Sequence, residues 1–322
     1  MNPELSIIIV NYKSAAFVEA CLQSIDRTCA SIALEVIVVD NASGDDCGEM
    51  VRTRFPSVKF VASSHNSGFA AANNLGFEHS HGRKVLLLNP DTVVFEDAIP
   101  NMMHALERCD SAGLVGPKLL NSDGSIQTTC VRRFPSLLNE LLASDALRRW
   151  FPRLSIWGMR PLFDGASAPV RVEAVSGACM MLYRDVFARV GHLSTEYFMY
   201  GEDIDLCYKV AQVGAGVYYI PDSVVVHHGG GSSSISSNFS AIQERASMLQ
   251  FMRMRRGEAY AIAYRAGMTL VAIVRLILLY VLYLARPRQI TARRAISKWT
   301  AILLWTVGVQ SATPNLLAPE VG

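Results

Sequence analysis

The first ninety residues alternate short apolar runs with longer segments whose apolar positions recur at helical spacing. Residues 5–10, 34–39 and 84–88 are nearly continuous runs of Ile, Val and Leu, and 58–62 is a shorter run of the same kind. Residues 15–24, 45–54 and 68–79 carry the helical pattern between them. Strands without in-and-out alternation are buried on both faces, so this order predicts an α/β fold with a mostly parallel central sheet flanked by helices. Asn89-Pro90 stops the fourth strand.

Between 113 and about 170 the pattern breaks up, with a turn signal at Asn121-Ser122-Asp123-Gly124 and several prolines. The expectation there is a short strand pair followed by a poorly specified segment. Regular structure returns at 172–184, followed by helices at 185–190 and 202–212 and a strand at 216–220. The Gly- and Ser-rich run 229–237 reads as a loop. This divides the chain into an α/β domain over 1–240, with halves meeting near 112, and a basic amphipathic helical extension over 241–322.

Charge sharpens the view of that extension. Between 251 and 300 there are ten basic residues, Arg253, Arg255, Arg256, Arg265, Arg275, Arg286, Arg288, Arg293, Arg294 and Lys298, against one acid, Glu258. The local charge is +9, which leaves −7 for the remainder of a chain with net charge +2. The basic residues interleave with aliphatic stretches, a pattern suited to an anionic membrane surface and not to nucleic acid. Residues 267–285 are nearly all apolar, but Arg275 interrupts them. A spanning helix needs about 20 apolar residues, and a central Arg costs roughly 2.5–3.5 kcal/mol on insertion scales. The reading is therefore an interfacial helix pair, 267–285 with 301–309, lying on a membrane as a peripheral or monotopic anchor. A buried capping helix and a true span are the alternatives. Oligomeric state has no signature in the sequence.

Seven scattered cysteines with no C-x-x-C indicate neither a zinc site nor a disulfide framework, and fit reduced thiols in a cytoplasmic compartment. The N-terminal run at 5–10 is too short for a signal-peptide core and lacks a basic flank, so it reads as a strand.

In parallel open sheets, ligands bind beyond the carboxyl ends of the strands. Here those ends are Asn11, Asp40-Asn41, Asn66-Ser67-Gly68 and Asn89-Pro90-Asp91. A carboxylate at Asp40 can accept the imide N–H of uracil or thymine. Gly68 lets backbone approach a ligand closely, and Asn73 can hydrogen-bond from the helix beyond. Asp91 offers the hard oxygen that Mg²⁺ or Mn²⁺ prefers. No G-x-G-x-x-G or G-x-x-x-x-G-K-[ST] is present, which argues against a dinucleotide enzyme and a P-loop NTPase.

Two further clusters carry chemistry. Tyr200-Gly201-Glu202-Asp203-Ile204-Asp205 opens a helix with three acids, of which a cap needs only one, so a carboxylate here can serve as general base. His227-His228 follows an apolar run, and adjacent strand residues face opposite ways, so only one histidine can join Asp91.

Taken together, these segments resemble the family 2 glycosyltransferases, within them the rhamnosyltransferase-like branch that acts on lipid-linked glycans. The carriers are S-I-I-I-V-N-Y at 6–12, V-I-V-V-D-N-A-S at 36–43, H-N-S-G-F-A-A-A-N-N-L-G at 65–76 and L-L-L-N-P-D-T at 86–92. V-S-G-A-C at 175–179, G-E-D-I-D-L-C at 201–207 and I-P-D-S-V-V-V-H-H-G-G-G-S-S at 220–233 complete them. The resemblance implies a GT-A fold over 1–240 and an inverting, metal-dependent transfer from a dTDP- or UDP-sugar. It implies L-rhamnose from dTDP-rhamnose as donor and a polyprenyl-diphosphate-linked glycan as acceptor, in cell-envelope polysaccharide synthesis. It places Asn11, Asp40, Asn41, Gly68, Asn73 and Asn89 around the donor, Asp91 on the metal, His227 on the metal or the diphosphate, and Asp203 as catalytic base. Ser176, Gly177, Glu202 and Arg132 fall on the acceptor side. The family's usual metal motif has two aspartates around one residue, where this chain has Asn89-Pro90-Asp91. A UDP-hexose-dependent transferase and a non-catalytic sugar-nucleotide or membrane-binding protein remain the alternatives.

Overall fold

A computed structural model describes residues 3–29, 31–229, 237–285 and 290–311. Its elements run β1 (Leu5–Asn11), α1 (Ala15–Thr28), β2 (Leu34–Asp40), α2 (Cys47–Arg54), β3 (Lys59–Ala62), α3 (Gly68–Glu78), β4 (Lys84–Leu88), β5 (Thr92–Val94), α4 (Ala98–Arg108) and β6 (Ala112–Leu120). They continue with β7 (Val131–Arg132), α5 (Leu137–Leu141), α6 (Asp145–Trp150), α7 (Arg160–Phe163), β8 (Val170–Val172), β9 (Ala174–Val175), β10 (Cys179–Tyr183), α8 (Arg184–Arg189), α9 (Glu202–Gln212) and β11 (Gly216–His227). Three helices follow: α10 (Ser237–Arg256), α11 (Glu258–Ala285) and α12 (Ile290–Thr306). The chain divides into two units, one of residues 1–134 and 144–233, the other of 135–143 and 234–322.

The first unit is built on one nine-stranded sheet in the order β3-β2-β1-β4-β10-β6-β11-β5, with β8 on β11. β1 pairs in parallel with β2 and β4, while β10 runs antiparallel between β4 and β6. The mostly parallel sheet read from the sequence is thus present. Every residue of β1 and β4 is buried, as continuous apolar runs demand. Helix α1 covers one face through Val18, Cys21, Leu22 and Ile25 at helical spacing, and α4 through Ile99, Met102, Met103 and Leu106. On the other face α3 presses onto Ile8 and Val39 at Gly76, where a Cβ would lie 2.5 Å from Ile8. Lys84 is buried in β4 because its ammonium donates to Glu4 at 3.0 Å and to Glu107 at 2.6 Å.

Two sequence expectations need correction. The stretch from 113 opens as β6, a nine-residue strand pairing with both β10 and β11, and the residues after it fold into short helices. Pro117 and two glycines interrupt the strand's apolar run. The strand expected at 216–220 continues to His227, because a register shift between Ile220 and Val224 absorbs Pro221 within the ladder.

In the second unit, α10, α11 and α12 pack on one another, with α5 against α11. Helix α11 begins nine residues before the apolar run at 267–285. Gly267 is interior because Leu141 packs where its Cβ would stand, at 2.7 Å. The helix is long and apolar enough to cross a membrane by length and composition, and Ile262, Leu270, Ile273, Ile277, Leu278 and Leu284 are exposed along it. The interrupting arginine is held inside the unit: Arg275 donates to the Ala143 carbonyl at 2.8 Å and stacks 4.4 Å from the Trp299 ring centroid. Arg265 likewise caps the end of α12, donating to the carbonyls of Trp305 and Thr306. These two side chains serve packing within the unit. Arg286 and Arg288 lie outside the described residues, as does most of the loop at 229–237.

Candidate active site

Parallel pairing brings the polar strand ends onto one rim. Asn11 faces Asp40 in the β1–β2 register, and its amide donates to Asp40 Oδ1 at 2.9 Å, to Ser43 Oγ at 2.9 Å and to Asp45 Oδ1 at 3.0 Å. Buried Asn11 therefore orients two carboxylates, and Asp40 is half-buried with Oδ2 accepting the Ser43 backbone N–H at 3.3 Å. Asn41 turns inward: its amide donates to Asn66 Oδ1 at 2.8 Å and its Oδ1 accepts the Ser67 backbone N–H at 3.0 Å. It secures the loop that carries Gly68. Asn73 donates to the Phe69 carbonyl at 2.9 Å within α3.

Gly68 has φ +84 and sits against Phe198, where a Cβ would lie 2.7 Å from the carbonyl oxygen. The close approach expected here is to a ligand; the structure makes it to the chain's own Phe198. Left-handed backbone costs a non-glycine residue about 1–2 kcal/mol before any clash. Gly68→Ala should lower stability by at least about that much, read as a lower urea midpoint. An unchanged midpoint would show that the loop relieves both the left-handed backbone and the Phe198 contact.

The second corner forms because β5 pairs antiparallel with the end of β11, matching Thr92 with His227. His227 Nε2 lies 3.3 Å from Asp91 Oδ1 and 3.4 Å from Asn89 Nδ2, while Nδ1 lies 2.9 Å from Gln127 Oε1. Asn89 Oδ1 is buried and makes no hydrogen bond. A carboxylate, an imidazole nitrogen and an orphaned carbonyl oxygen in one corner fit a divalent cation. Among the described residues no group of three His, Cys, Asp or Glu gathers anywhere, so the other coordination positions here fall to water or to a ligand's oxygens. His228 points away, within 2.8 Å of Ser122 Oγ.

The third corner joins the second through Asn89, whose backbone N–H donates to the Ala178 carbonyl at 2.9 Å. Ala178 ends the Ser176-Gly177-Ala178 turn, on which Asp203 rests. The Gly177 backbone N–H donates to Asp203 Oδ2 at 2.9 Å, and the Ile204 N–H donates to Oδ1 at 2.8 Å. A Cβ at Gly177 would lie 2.9 Å from the Asp203 Cβ, so the glycine admits this contact. Ser176 Oγ accepts the Ala178 N–H at 3.3 Å. Arg132 lies on β7, half-buried, paired with Ala174 on the strand leading into that turn.

The three acids of α9 have different surroundings. Asp205 is fully buried, accepting from Ser194 Oγ at 2.6 Å, and anchors the preceding loop. Asp203 is half-buried and reachable. Glu202 is buried with Oε2 lacking a hydrogen bond. Burial, then the charge of Asp203, pushes its carboxyl well above the usual range. Tyr200 precedes it with φ +67, a strained conformation for an aromatic residue.

Because folding raises the Glu202 pKa, the folded state holds this proton where the unfolded state has released it. Its contribution to stability is full below the unfolded value and falls as pH rises towards the folded one. One proton is worth about 1.4 kcal/mol per pH unit. Glu202→Gln should therefore gain on the parent protein by up to that slope between about pH 5 and about pH 8. A constant difference between the two unfolding curves across that range would rule out an uncharged Glu202.

Sequence reasoning missed Asp45, Gln127 and Phe198. Asp45 sat beyond a predicted strand end, in an ordinary acidic turn. Gln127 and Phe198 gave no signal, because their partners are remote in sequence.

A mostly parallel sheet with its polar rim at the strand ends, helices on both faces and an acid-headed helix beside that rim define a GT-A nucleotide-sugar transferase fold. The glycosyl transferase family 2 model matches residues 6–189, and the chain belongs to that family. It is 27% identical over 239 residues to an N-acetylglucosaminyl-diphospho-decaprenol L-rhamnosyltransferase of Mycobacterium tuberculosis, covering 70% of this chain and 76% of the relative. It is 27% identical over 231 residues to the low-salt glycan biosynthesis hexosyltransferase Agl10 of Haloferax volcanii, covering 70% and 67%. Among solved structures, the Pyrobaculum calidifontis mannosyltransferase PcManGT in complex with GDP-Man and Mn²⁺ superposes with a TM-score of 0.59 at 19% identity, covering 96% of this chain and 87% of that one.

Proposed function

We propose that this glycosyltransferase is an inverting, metal-dependent enzyme that moves L-rhamnose from dTDP-rhamnose to a polyprenyl-diphosphate-linked glycan in cell-envelope synthesis. The observation that carries the reading is the single rim bearing Asp40, the Asp91–His227 corner and Asp203, the last two linked by the Asn89–Ala178 hydrogen bond of 2.9 Å.

In this reading Asp40 accepts the imide N–H of thymine or uracil, with Asn11 holding the carboxylate in place. Gly68, Asn41 and Asn73 shape the loop and helix that border the donor. Asn89, Asp91 and His227 would hold Mg²⁺ or Mn²⁺, which when bound would supply positive charge against the departing diphosphate. Asp203 takes the proton from the acceptor hydroxyl as that oxygen attacks the anomeric carbon. The new C–O bond forms opposite the breaking bond to the diphosphate, so configuration inverts. Ser176, Gly177, Glu202 and Arg132 border the acceptor side. The mycobacterial relative supports rhamnose and a lipid-linked acceptor; exposed apolar residues along α11 support work at a membrane, and the scattered free cysteines fit its cytoplasmic face.

The second reading is a UDP-hexose donor, favoured by the hexosyltransferase relative and by the inability of Asp40 to tell uracil from thymine. Thermal-shift titration with dTDP-rhamnose, UDP-glucose, UDP-GlcNAc and GDP-mannose, with and without Mn²⁺, separates the two. At about 100-fold excess over Kd the true donor adds about 2.7 kcal/mol of stability. Stabilisation by dTDP-rhamnose alone supports the first reading, and by a UDP-sugar the second. No shift with any of the four would favour a non-catalytic protein.

A further inference from the structure

We propose that the turn at residues 121–127 sets the tautomer of His227, obliging Nδ1 to carry the proton and turning the Nε2 lone pair towards Asp91 and Asn89. One chain of hydrogen bonds runs from a fixed end at Asp123 to the His227 ring. Asp123 is a carboxylate and accepts only, so Ser125 Oγ must donate to its Oδ1 at 2.6 Å. That leaves Ser125 Oγ as acceptor towards Asn121, whose Nδ2 donates at 2.9 Å. The other amide atom of Asn121 is then oxygen, and it accepts Gln127 Nε2 at 3.2 Å. Gln127 must therefore present its Oε1 to His227 Nδ1, 2.9 Å away, and Nδ1 must be the N–H. Flipping Asn121 would break two bonds, and flipping Gln127 would set its Oε1 against the Asn121 oxygen, so the polarity of the chain runs one way.

The turn is built to hold this geometry. The Gly124 N–H donates to the Asn121 carbonyl at 2.9 Å, the Asn121 N–H donates to the Ser125 carbonyl at 2.8 Å, and Gly124 takes φ +80. The Gln127 N–H donates to the Leu119 carbonyl at 2.8 Å, locking the residue beside the end of β6.

The relay opposes a competing state. Left alone, His227 would place a proton on Nε2 and donate it to Asp91 Oδ1, 3.3 Å away. That pair would be satisfied, and a cation would have to displace the proton first. With Nδ1 protonated, Nε2 carries no proton for a cation to displace, and its lone pair accepts only the long 3.4 Å bond from Asn89 Nδ2. Gln127 is thus a positioning residue. The tautomer rests on the hydrogen bonds alone, whereas its effect on metal affinity rests on the proposed role of His227.

The test begins on metal-free protein labelled with ¹⁵N-histidine, with the His227 resonances assigned by their loss in His227→Asn. The parent protein should show the Nδ1–H tautomer. Gln127→Leu should convert it largely to Nε2–H, and Gln127→Glu, which keeps an acceptor facing Nδ1, should restore Nδ1–H. Asn121→Ala, at a surface turn, provides a second break in the relay should Gln127→Leu fold poorly, and should give a mixture of tautomers. Nε2–H in the parent, or Nδ1–H retained in both Gln127→Leu and Asn121→Ala, overturns the proposal. Mn²⁺ affinity in the presence of dTDP or UDP, read from the free Mn²⁺ electron-spin signal, should fall about 10–100-fold in Gln127→Leu. A tautomer switch with unchanged Mn²⁺ affinity upholds the relay and overturns His227 as a metal ligand.

Discussion

Asp203→Asn is expected to cut turnover by about 10²–10⁴-fold while donor and metal still stabilise the protein against heat. The amide cannot take a proton from an acceptor hydroxyl, but it is nearly isosteric with the carboxylate. Of the two backbone donors on Asp203, the Gly177 and Ile204 N–H groups, an asparagine oxygen can keep one. The other is left to water, because the side chain is only half-buried. The fold therefore survives and the loss falls on kcat. The rival base is Glu202, whose buried carboxyl is pushed well above the usual range and so keeps its own proton. If Glu202→Gln abolished turnover and Asp203→Asn left it near normal, the two roles would be reversed. Removing the Asp203 charge should also let the Glu202 carboxyl ionise more readily, since that charge is one cause of its upward shift.

The second large effect is expected at Asp91. Metal stabilisation of a departing diphosphate is worth several kcal/mol, and each 1.36 kcal/mol is tenfold in rate. Asp91→Asn should thus lower turnover by about 10³-fold and abolish the Mn²⁺ dependence of the donor-induced thermal shift. Without metal the variant should melt within a few degrees of the parent. The Asp91 backbone carbonyl, which accepts the His228 N–H at 2.9 Å, is unaffected by the change. A donor shift that still depended on Mn²⁺ would move the metal site elsewhere.

Local pattern determined much of this protein. The apolar runs at β1, β2 and β4 announced doubly covered strands, and the acids at 202–205 announced the start of α9, because periodicity and the preference for acids in a first helical turn depend on near neighbours. The resemblance, carried by short motifs, likewise sufficed for the family. Harder to read were β6 and the far half of β11, where Pro117 and Pro221 sit in strands that tolerate them. Only the tertiary structure decided what each polar residue does. It turned Asn41 inward onto the 66–68 loop and gave Asp205 a structural duty. It left Asn89 Oδ1 without a partner beside Asp91 and His227, and brought Gln127 to the ring of a histidine 100 residues away. The physical reason is that an amide or carboxylate takes its role from the partner it meets across the sheet, and a sequence read alone does not state which partner that is.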